Sequence, residues 1–502
     1  MKKFLTAFLL LVFLIAAGFS LQSFGKAKRS AWNVIKNPDT VQMLKSFVAV
    51  KKAQAYANTN SVPPEIRALF KNAERGDWLT FSNSFAALRA RNEYWYSHSC
   101  LDPSSLSRRD RVRVEVNEFI SWVGDKIGKN WTGGRPPELA GTPWIIADEM
   151  RGAFESFLAG DNYYTTAFGR QIIDSIPPGA VYFGGTDQGR FIIAVMCQSK
   201  LYHDKLFIFS QNALTDGSYL GYLRLMYGKK IYIPTEADRQ KCVQNYRTRV
   251  QARYENHSPK PAGDSETGKD ENDEPSCFAS GLSINSLLCK VIFDACPTNE
   301  FFIEESYPIT WMYRRLEPHG LIFRINRQPL AELSAEIVQS DRGYWHKSVE
   351  QKIGGWLTEE TSNEAVAAFA KKIFLQRDLN GFTGDTRFVQ NGYSCKMFSK
   401  ERTAIAGLYA WRASHSANDS EKKRMTSEAD FAFRQAWALC PYSPEALFRY
   451  VDFLLAQNRY DDAILLAETS TSLPQVKSDD WMKQLPAYLK QWHKENPSKP
   501  AN

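Results

Sequence analysis

The stretch "EADFAFRQAWALCPYSPEALFRYVDFLLAQNRYDDAILLAE", residues 428–468, decides the fold expected for the C-terminal part of this chain. In it, Ala429 and Ala463 lie 34 residues apart, the period of a helical-hairpin repeat. Small residues at fixed intervals let paired helices approach closely, and Pro441 stands where a first helix must stop. The stretch therefore predicts consecutive helical hairpins, with packing residues at Ala429, Phe433, Ala436, Pro441, Ala463 and Ala467.

This spacing resembles the tetratricopeptide repeat family, whose units are helix–turn–helix pairs of this length. The resemblance implies that residues 401–490 form a scaffold that binds a protein or peptide partner. A generic helical hairpin is the alternative that the pattern leaves open.

The N-terminus has the order of residues expected of an export signal. Lys2 and Lys3 precede an apolar run from Phe4 to Ala17, and small residues follow it. This order predicts a signal over residues 1–25 and an extracytoplasmic location, either periplasmic or secreted. Residues 4–21 reach about the minimum length of a membrane span, so retention as an inner-membrane anchor is the alternative. We expect no other contact with a membrane.

The composition favours a folded protein without a metal or nucleic-acid site. The 502 residues are 43% hydrophobic and 24% charged, and the net charge of +8 is spread without a long basic run. We therefore expect no nucleic-acid partner. None of the eight cysteines forms a C-x-x-C pair and the seven histidines show no ligand spacing, so we expect no metal and no cofactor. Disulfides are permitted in an exported chain, but the sequence does not pair them.

The chain divides into helical segments and one α/β segment. Helical periodicity covers residues 30–169 and 331–400, whereas strand-like runs alternate with helical patterns over residues 170–330. Such alternation predicts a parallel sheet of about five strands. Segment 256–276 is polar and rich in Pro and Gly, which predicts a disordered insertion. The predicted fold class is α/β plus all-α, with N-terminal helices before the sheet domain and helical hairpins after it. The predicted strands are 179–183, 205–209, 229–234, 300–305 and 320–326.

Polar residues follow the predicted strands, where open parallel sheets bind ligands. The loop "GGTDQGR", residues 184–190, follows the first strand, and its glycines allow a ligand to approach the backbone. Asp187 and Arg190 are suited to hold a sugar hydroxyl or a carboxylate. Helix N-capping by Asp187, and by Asn212 and Asp216 for the next helix, is the alternative. No catalytic residue is assigned, and the candidate ligand-binding residues are Gly184, Gly185, Thr186, Asp187, Arg190, Asn212 and Glu304.

Three stretches resemble the soluble extracytoplasmic part of a bacterial membrane-protein family similar to protein O-mannosyltransferases. They are "IPPGAVYFGGTDQGRF" (176–191), "KLFIFSQNALTDGSYLGYLR" (205–224) and "FFIEESYPITWMYRRLEPHGLIFRINRQP" (301–329). Phe323 stands where that family usually has Tyr, and the membrane-embedded catalytic half is missing, so glycosyl transfer is not implied. The resemblance implies an accessory or binding domain, and it matches Gly185, Asp187, Asn212, Gly320, Leu321 and Arg324 to the family's pattern.

These observations support two hypotheses about function. In the first, the chain is an exported scaffold whose repeats engage a protein or peptide, in the context of envelope or glycan processing. In the alternative, it is an enzyme that acts on a sugar or another polar substrate at the Gly184–Arg190 loop. The sequence favours the scaffold and leaves the partner and the ligand, a glycan among the candidates, open.

Overall fold

The computed structural model describes ten stretches of the chain, which form two compact units. The first unit contains the residues up to 155 together with 178–299, and the second contains 156–177 together with 300–502. Both units are mostly helical with a few short strands, which confirms the α/β-plus-helical class. The predicted export signal and residues 257–276 of the predicted insertion lie outside the described residues. The described stretches are 30–35, 37–57, 62–97, 141–185, 187–199, 205–256, 277–305, 307, 309–476 and 481–495.

The first unit begins with helices whose ends follow local chemistry. Pro64 occupies the first turn of one helix, where its missing N–H is not needed, and Gly76 ends that helix in a left-handed conformation with φ of 66°. A Cβ at Gly76 would come within 2.6 Å of the side chains of Ser30 and Trp32, so only glycine fits. The helices are α1 (Ala31–Val34), α2 (Pro38–Ala57), α3 (Pro64–Arg75), α4 (Trp78–Ser97) and α5 (Thr142–Ala159). The next helix, α6 (Asn162–Ser175), belongs to the second unit.

Two parallel strands lie in the first unit, as their apolar runs predict. They are β1 (Val181–Gly184) and β2 (Phe207–Ser210), and their register places Gly184 opposite Ser210. Helix α7 (Asp187–Gln198) connects them, as parallel pairing requires. The unit continues with α8 (Gly217–Tyr227), α9 (Glu236–Asn256) and α10 (Cys277–Ala295).

The strand predicted over residues 229–234 is wrong, because the backbone there is irregular. Gly228 ends α8 with a positive φ of 57°, and Pro234 lacks an N–H for a ladder. Ile231 and Ile233 are buried while Tyr232 is exposed. The two isoleucines of this apolar run are therefore buried without forming a strand.

The prediction of about five strands is confirmed, but all-parallel pairing is wrong, because β1 and β2 pair parallel whereas the strands of the second unit pair antiparallel. β3 (Phe301–Ile303), β4 (Leu316–His319) and β5 (Ile322–Ile325) pair in the order β3, β5, β4. The pattern of residues 308–316 predicts a helix, but residues 310–315 form turns, among them the 3₁₀ turn Tyr313–Arg315, and β4 begins at Leu316. Gly320 has a φ of 62° in the tight turn between β4 and β5. Such a short turn returns the chain only in the antiparallel direction.

Helices fill the rest of the second unit, and several begin at the side-chain caps that the sequence supplies. Ser334 accepts a hydrogen bond from the Ile337 N–H at 3.3 Å, and Asn418 accepts one from the Ser420 N–H at 3.0 Å. The helices are α11 (Ala335–Ile353), α12 (Asn363–Ala370), α13 (Thr386–Gln390), α14 (Gly392–His415), α15 (Asp419–Leu439), α16 (Pro444–Ala456), α17 (Tyr460–Ser472) and α18 (Leu485–Glu495). A π-helical turn, Lys371–Leu375, follows α12.

The buried cysteines are packing residues. Cys289, Cys395 and Cys440 are fully buried thiols. Burial raises the pKa of the Cys440 thiol to about 12, so it stays protonated and unreactive at neutral pH.

Candidate functional site

A cavity of about 240 Å³ lies in the first unit, at the carboxyl end of β2. Its walls come from α5, from the start of α7, from the 3₁₀ turn Gln211–Ala213 and from α8. This is the position at which open α/β structures bind ligands, because side chains and backbone groups converge beyond the strand ends. Polar groups at its wall belong to Asp148, Glu149, Arg190, Gln198, Asn212, Thr215, Asp216, Tyr219 and Tyr222.

Arg190 enters this cavity from the first turn of α7. Its Nη2 donates to Oδ2 of Asp148 at 3.2 Å, and its guanidinium lies 4.0 Å from the ring centre of Phe191. Its Nε is buried and has no hydrogen-bond partner. A Cβ at Gly184 would lie 2.9 Å from Cβ of Arg190, so glycine at the strand end is what lets Arg190 come so close. Arg190 therefore keeps one donor without a hydrogen-bond partner at the wall of the cavity.

Lys51 supports two residues of the cavity wall, Glu149 and Tyr222. Lys51 is completely buried, forms an ion pair with Glu149 and hydrogen-bonds the hydroxyl of Tyr222. The Tyr222 hydroxyl donates to Oε2 of Glu149 at 2.7 Å. Burial, with the Glu149 charge beside it, raises the pKa of Tyr222 well above its ordinary value. Tyr222 therefore stays a hydroxyl and does not become a phenolate at neutral pH.

Two further tyrosines of α8 fasten that helix to β2. The Tyr219 hydroxyl accepts from the Ser210 N–H at 2.7 Å, and the Tyr227 hydroxyl accepts from the Ile208 N–H at 2.8 Å. Burial raises the pKa of Tyr219 to about 12. These bonds satisfy strand N–H groups that would otherwise be left unpaired, and they hold the cavity wall in place.

The sequence analysis did not single out Lys51, Glu149, Tyr219 or Tyr222. The sequence does relate two of these residues, because Tyr219 and Tyr222 are three residues apart on α8 and therefore share a helix face. Lys51 and Tyr222, in contrast, are separated by 171 residues, and no local pattern joins them.

The structure brings two of the predicted ligand residues, Arg190 and Asn212, to the same cavity. Gly185 lies next to them, since its carbonyl accepts from Nδ2 of Asn212 at 3.1 Å. Asn212 is therefore not a cap of α8, whereas Asp216, the other cap considered for that helix, does cap it by accepting from the Ser218 N–H at 2.8 Å. Asp187 begins α7 and only its backbone is described, and Thr186 lies outside the described residues.

Glu304 belongs to the second unit and is occupied by a buried ion pair. Its Oε1 lies 2.5 Å from Nζ of Lys400, and Lys400 also contacts Glu401 at 3.2 Å. Burial raises the pKa of Glu401 well above its ordinary value, although the charge of Lys400 opposes the rise. Glu304 is therefore a structural partner of Lys400 in this unit.

The predicted repeat-packing residues lie inside the second unit. Ala429, Phe433 and Ala436 are buried on α15, and Pro441 stands between the end of α15 and the start of α16. Ala463 and Ala467 on α17 are likewise inaccessible to solvent. The Phe433 ring stacks on Tyr450 of α16, 5.6 Å apart and 12° from parallel. Nε1 of Trp437 on α15 donates to Ser470 on α17 at 3.0 Å, which links alternate helices.

An open groove of about 520 Å³ runs along α15 and reaches α16 and the turn after it. Phe453 contributes apolar surface to it, while Arg459 and Asp430 form an ion pair with an N–O distance of 2.6 Å. Lys422 and Lys423 are exposed along it. The groove thus combines apolar and charged surface on the helical hairpins.

No family model matches this chain, and neither a curated protein nor a solved structure matches it significantly. Within the residues that the structure describes, no helix has both the length and the apolar character needed to cross a membrane. In the same residues, no cluster of three or more His, Cys, Asp or Glu side chains is arranged to hold a metal ion.

Proposed function

We propose that the chain is a binding protein whose first unit holds a small polyhydroxylated ligand, such as a monosaccharide, in the cavity at the end of β2. The observation that carries this proposal is the convergence of donors and acceptors there. Arg190 supplies a buried Nε without a partner, and Gln198 supplies a buried Oε1 without one. A ligand with several hydroxyl groups satisfies donors and acceptors together, and Phe191 and Leu223 offer apolar surface to its ring.

Binding is favoured over a reaction because the carboxylates of the cavity already have structural partners. Asp148 pairs with Arg190 and Arg151, and Glu149 pairs with Lys51. A general acid or base must be available to the substrate. An enzyme acting on the same ligand at the Gly184–Arg190 loop is the alternative.

Titration calorimetry with D-mannose and D-glucose tests the proposal. Asn212 is exposed but donates to the Gly185 carbonyl, so Asn212→Ala should lower the free energy of unfolding by only about 1 kcal/mol and leave the chain folded. We expect binding of the sugar to fall about tenfold, because one ligand hydrogen bond is lost. Arg67→Met, at an exposed position of α3, is the matched control and should bind like the parent chain. Equal affinity in both variants would contradict the site, and a new sugar species detected by NMR would favour the enzyme.

The helical hairpins of the second unit are a second candidate site, for a protein or peptide partner. The groove along α15 supports this, since it offers the exposed Lys422 and Lys423 to an acidic segment. We expect Lys422→Glu with Lys423→Glu to abolish co-purification of a partner from cells, with the fold intact by circular dichroism. Unchanged co-purification would exclude the groove. The resemblance to tetratricopeptide repeats and to the mannosyltransferase-like family adds support for a binding role.

An extracytoplasmic location completes the proposal, motivated by the N-terminal order of Lys2, Lys3 and the apolar run that follows. Cell fractionation with N-terminal sequencing tests it. Full-length chain in the cytosol would contradict export.

A further inference from the structure

A second cavity, of about 380 Å³, lies in the second unit beside the C-terminal end of α14. Arg412, Trp411 and His415 come from that helix, and Glu421 comes from the first turn of α15. Arg314 and the segment 329–331 complete the wall. None of these residues belongs to the sites described above.

Arg412 is the buried charge of this cavity, only 5% exposed. Its Nη2 donates to the Leu316 carbonyl at 3.2 Å and its Nη1 to the Leu330 carbonyl at 3.4 Å, which fixes the guanidinium plane. Its Nε is buried without a partner. Burial lowers the pKa of the guanidinium and outweighs the carboxylates of Glu421 and Glu317, which act on Arg412 without forming an ion pair with it. The cavity therefore favours an anionic group next to Arg412.

Glu421 supplies a second unused atom, an acceptor. Its Oε2 accepts from Nε of Arg424 at 2.8 Å, whereas its Oε1 is buried without a hydrogen-bond partner. An anion alone would be repelled by this carboxylate. A ligand that also carries a positively charged donor would satisfy Oε1 and remove the repulsion.

An aromatic wall completes the site. The rings of Trp411 and His415 stack with centroids 4.2 Å apart and an angle of 20°. Leu330 adds aliphatic surface, and Arg314 is exposed at the rim, where it adds positive charge. These features suit a ligand with an apolar part beyond its charged groups.

We propose that this cavity binds a small molecule in which a carboxylate and an ammonium group lie on neighbouring atoms, an α-amino acid being the simplest. The carboxylate meets Arg412 and Arg314, and the ammonium meets Oε1 of Glu421. The apolar side chain lies against Trp411. This site is independent of the sugar-binding cavity proposed above.

Three matched probes test the proposal by ligand-observed NMR on the full chain: L-phenylalanine, 3-phenylpropionate, which lacks the ammonium, and 2-phenylethylamine, which lacks the carboxylate. We expect L-phenylalanine to bind about tenfold or more tightly than either truncated probe, because each truncation leaves one buried charge without its partner. Equal binding of 3-phenylpropionate would overturn the role of Glu421. Binding of inorganic phosphate in preference to L-phenylalanine would overturn the proposal as a whole.

Substitutions assign the probe to this cavity. Glu421→Gln should lower the affinity for L-phenylalanine about tenfold while leaving that for 3-phenylpropionate equal or higher. Arg314→Gln, at the exposed rim, should weaken both carboxylates and leave 2-phenylethylamine unchanged. Arg412→Gln should abolish binding; if this variant does not fold, the other two decide the question.

Asn212→Ala, in the other cavity, is the control and should bind all three probes as the parent does. Binding that is unaffected by Arg314→Gln and Glu421→Gln would overturn the site.

Discussion

Lys352 is a buried lysine whose charge affects the stability of the second unit. It lies on α11 with 3% of its surface exposed, and Nζ donates to Oγ of Ser348 at 2.8 Å. The ring of Phe398 is 4.0 Å from Nζ. Burial lowers the pKa of Lys352 from 10.5 to about 7, since the charged form loses its hydration. Keeping Lys352 charged in the folded state therefore lowers the free energy of unfolding of the second unit.

The pH dependence follows from the direction of this shift. Between about pH 7 and 10.5 the unfolded chain holds the Lys352 proton more tightly than the folded chain does. The contribution of this residue to the free energy of unfolding therefore rises with pH across that window and is least favourable below pH 7.

We predict that Lys352→Met raises the free energy of unfolding by roughly 1–3 kcal/mol at pH 6, and that this gain shrinks as the pH approaches 10. Urea unfolding at pH 6 and at pH 9.5 measures the change. Lys347→Met is the matched control, because Lys347 is exposed on the same helix. A gain of equal size at both pH values would show that burial of the charge is not its cause.

At the scale of elements, close approach of the C-terminal helices depends on small residues. Ala463 on α17 has no exposed surface, and neither do Ala429 and Ala436 on α15. Ser399 on α14 donates to the Ala436 carbonyl at 2.7 Å, a distance that requires the two helix backbones to lie close together. A larger side chain at such a position has no room.

We predict that Ala463→Phe lowers the free energy of unfolding by roughly 1–3 kcal/mol through overpacking. Ala456→Phe, at the exposed end of α16, introduces the same side chain and should change stability little. Thermal melts of both variants give the comparison. If Ala463→Phe melts at the parent temperature, the proposed close contact at this residue is incorrect.

At the scale of the molecule, buried charges join elements that are far apart in sequence. Nη1 of Arg402 on α14 lies 2.7 Å from Oδ2 of Asp341 on α11, and both side chains are almost fully buried. The Tyr409 hydroxyl donates to the same Asp341 oxygen at 2.8 Å, and Gln435 on α15 accepts from Nε of Arg402 at 2.8 Å. This network specifies how three helices meet.

We predict that Asp341→Leu destabilises the second unit by about 3–5 kcal/mol, because it leaves Arg402 buried without its counter-charge. The double variant with Arg402→Met removes both charges and should recover most of the loss. Chemical denaturation of the four members of this cycle measures the coupling. A double variant less stable than Asp341→Leu alone would contradict a charge-based explanation.

Local patterns predicted much of the helical structure. The stop at Pro441 and the start at Pro444 appear where expected, with α15 ending at Leu439 and α16 beginning at Pro444. The sequence reveals these features because the proline ring and the helix caps act on only a few neighbouring residues. The run 179–183 likewise predicted β1, and Arg190 and Asn212 were assigned to one strand-end region from their positions after β1 and β2.

Strand direction and the full composition of each cavity depend on tertiary structure. A three- or four-residue apolar run looks alike in parallel and antiparallel sheets, so β3 and β5 could not be oriented from their residues. Strand β4 (Leu316–His319) has no apolar run that would mark it as a strand. Lys51 meets Tyr222 only after the first unit has folded, and Arg412 meets Glu421 only when α15 packs beside α14. The sequence by itself determined where helices start, stop and bury their small residues, because those effects are local. Which charges share a cavity was decided by the tertiary structure, because burial and pairing depend on residues brought together from distant parts of the chain.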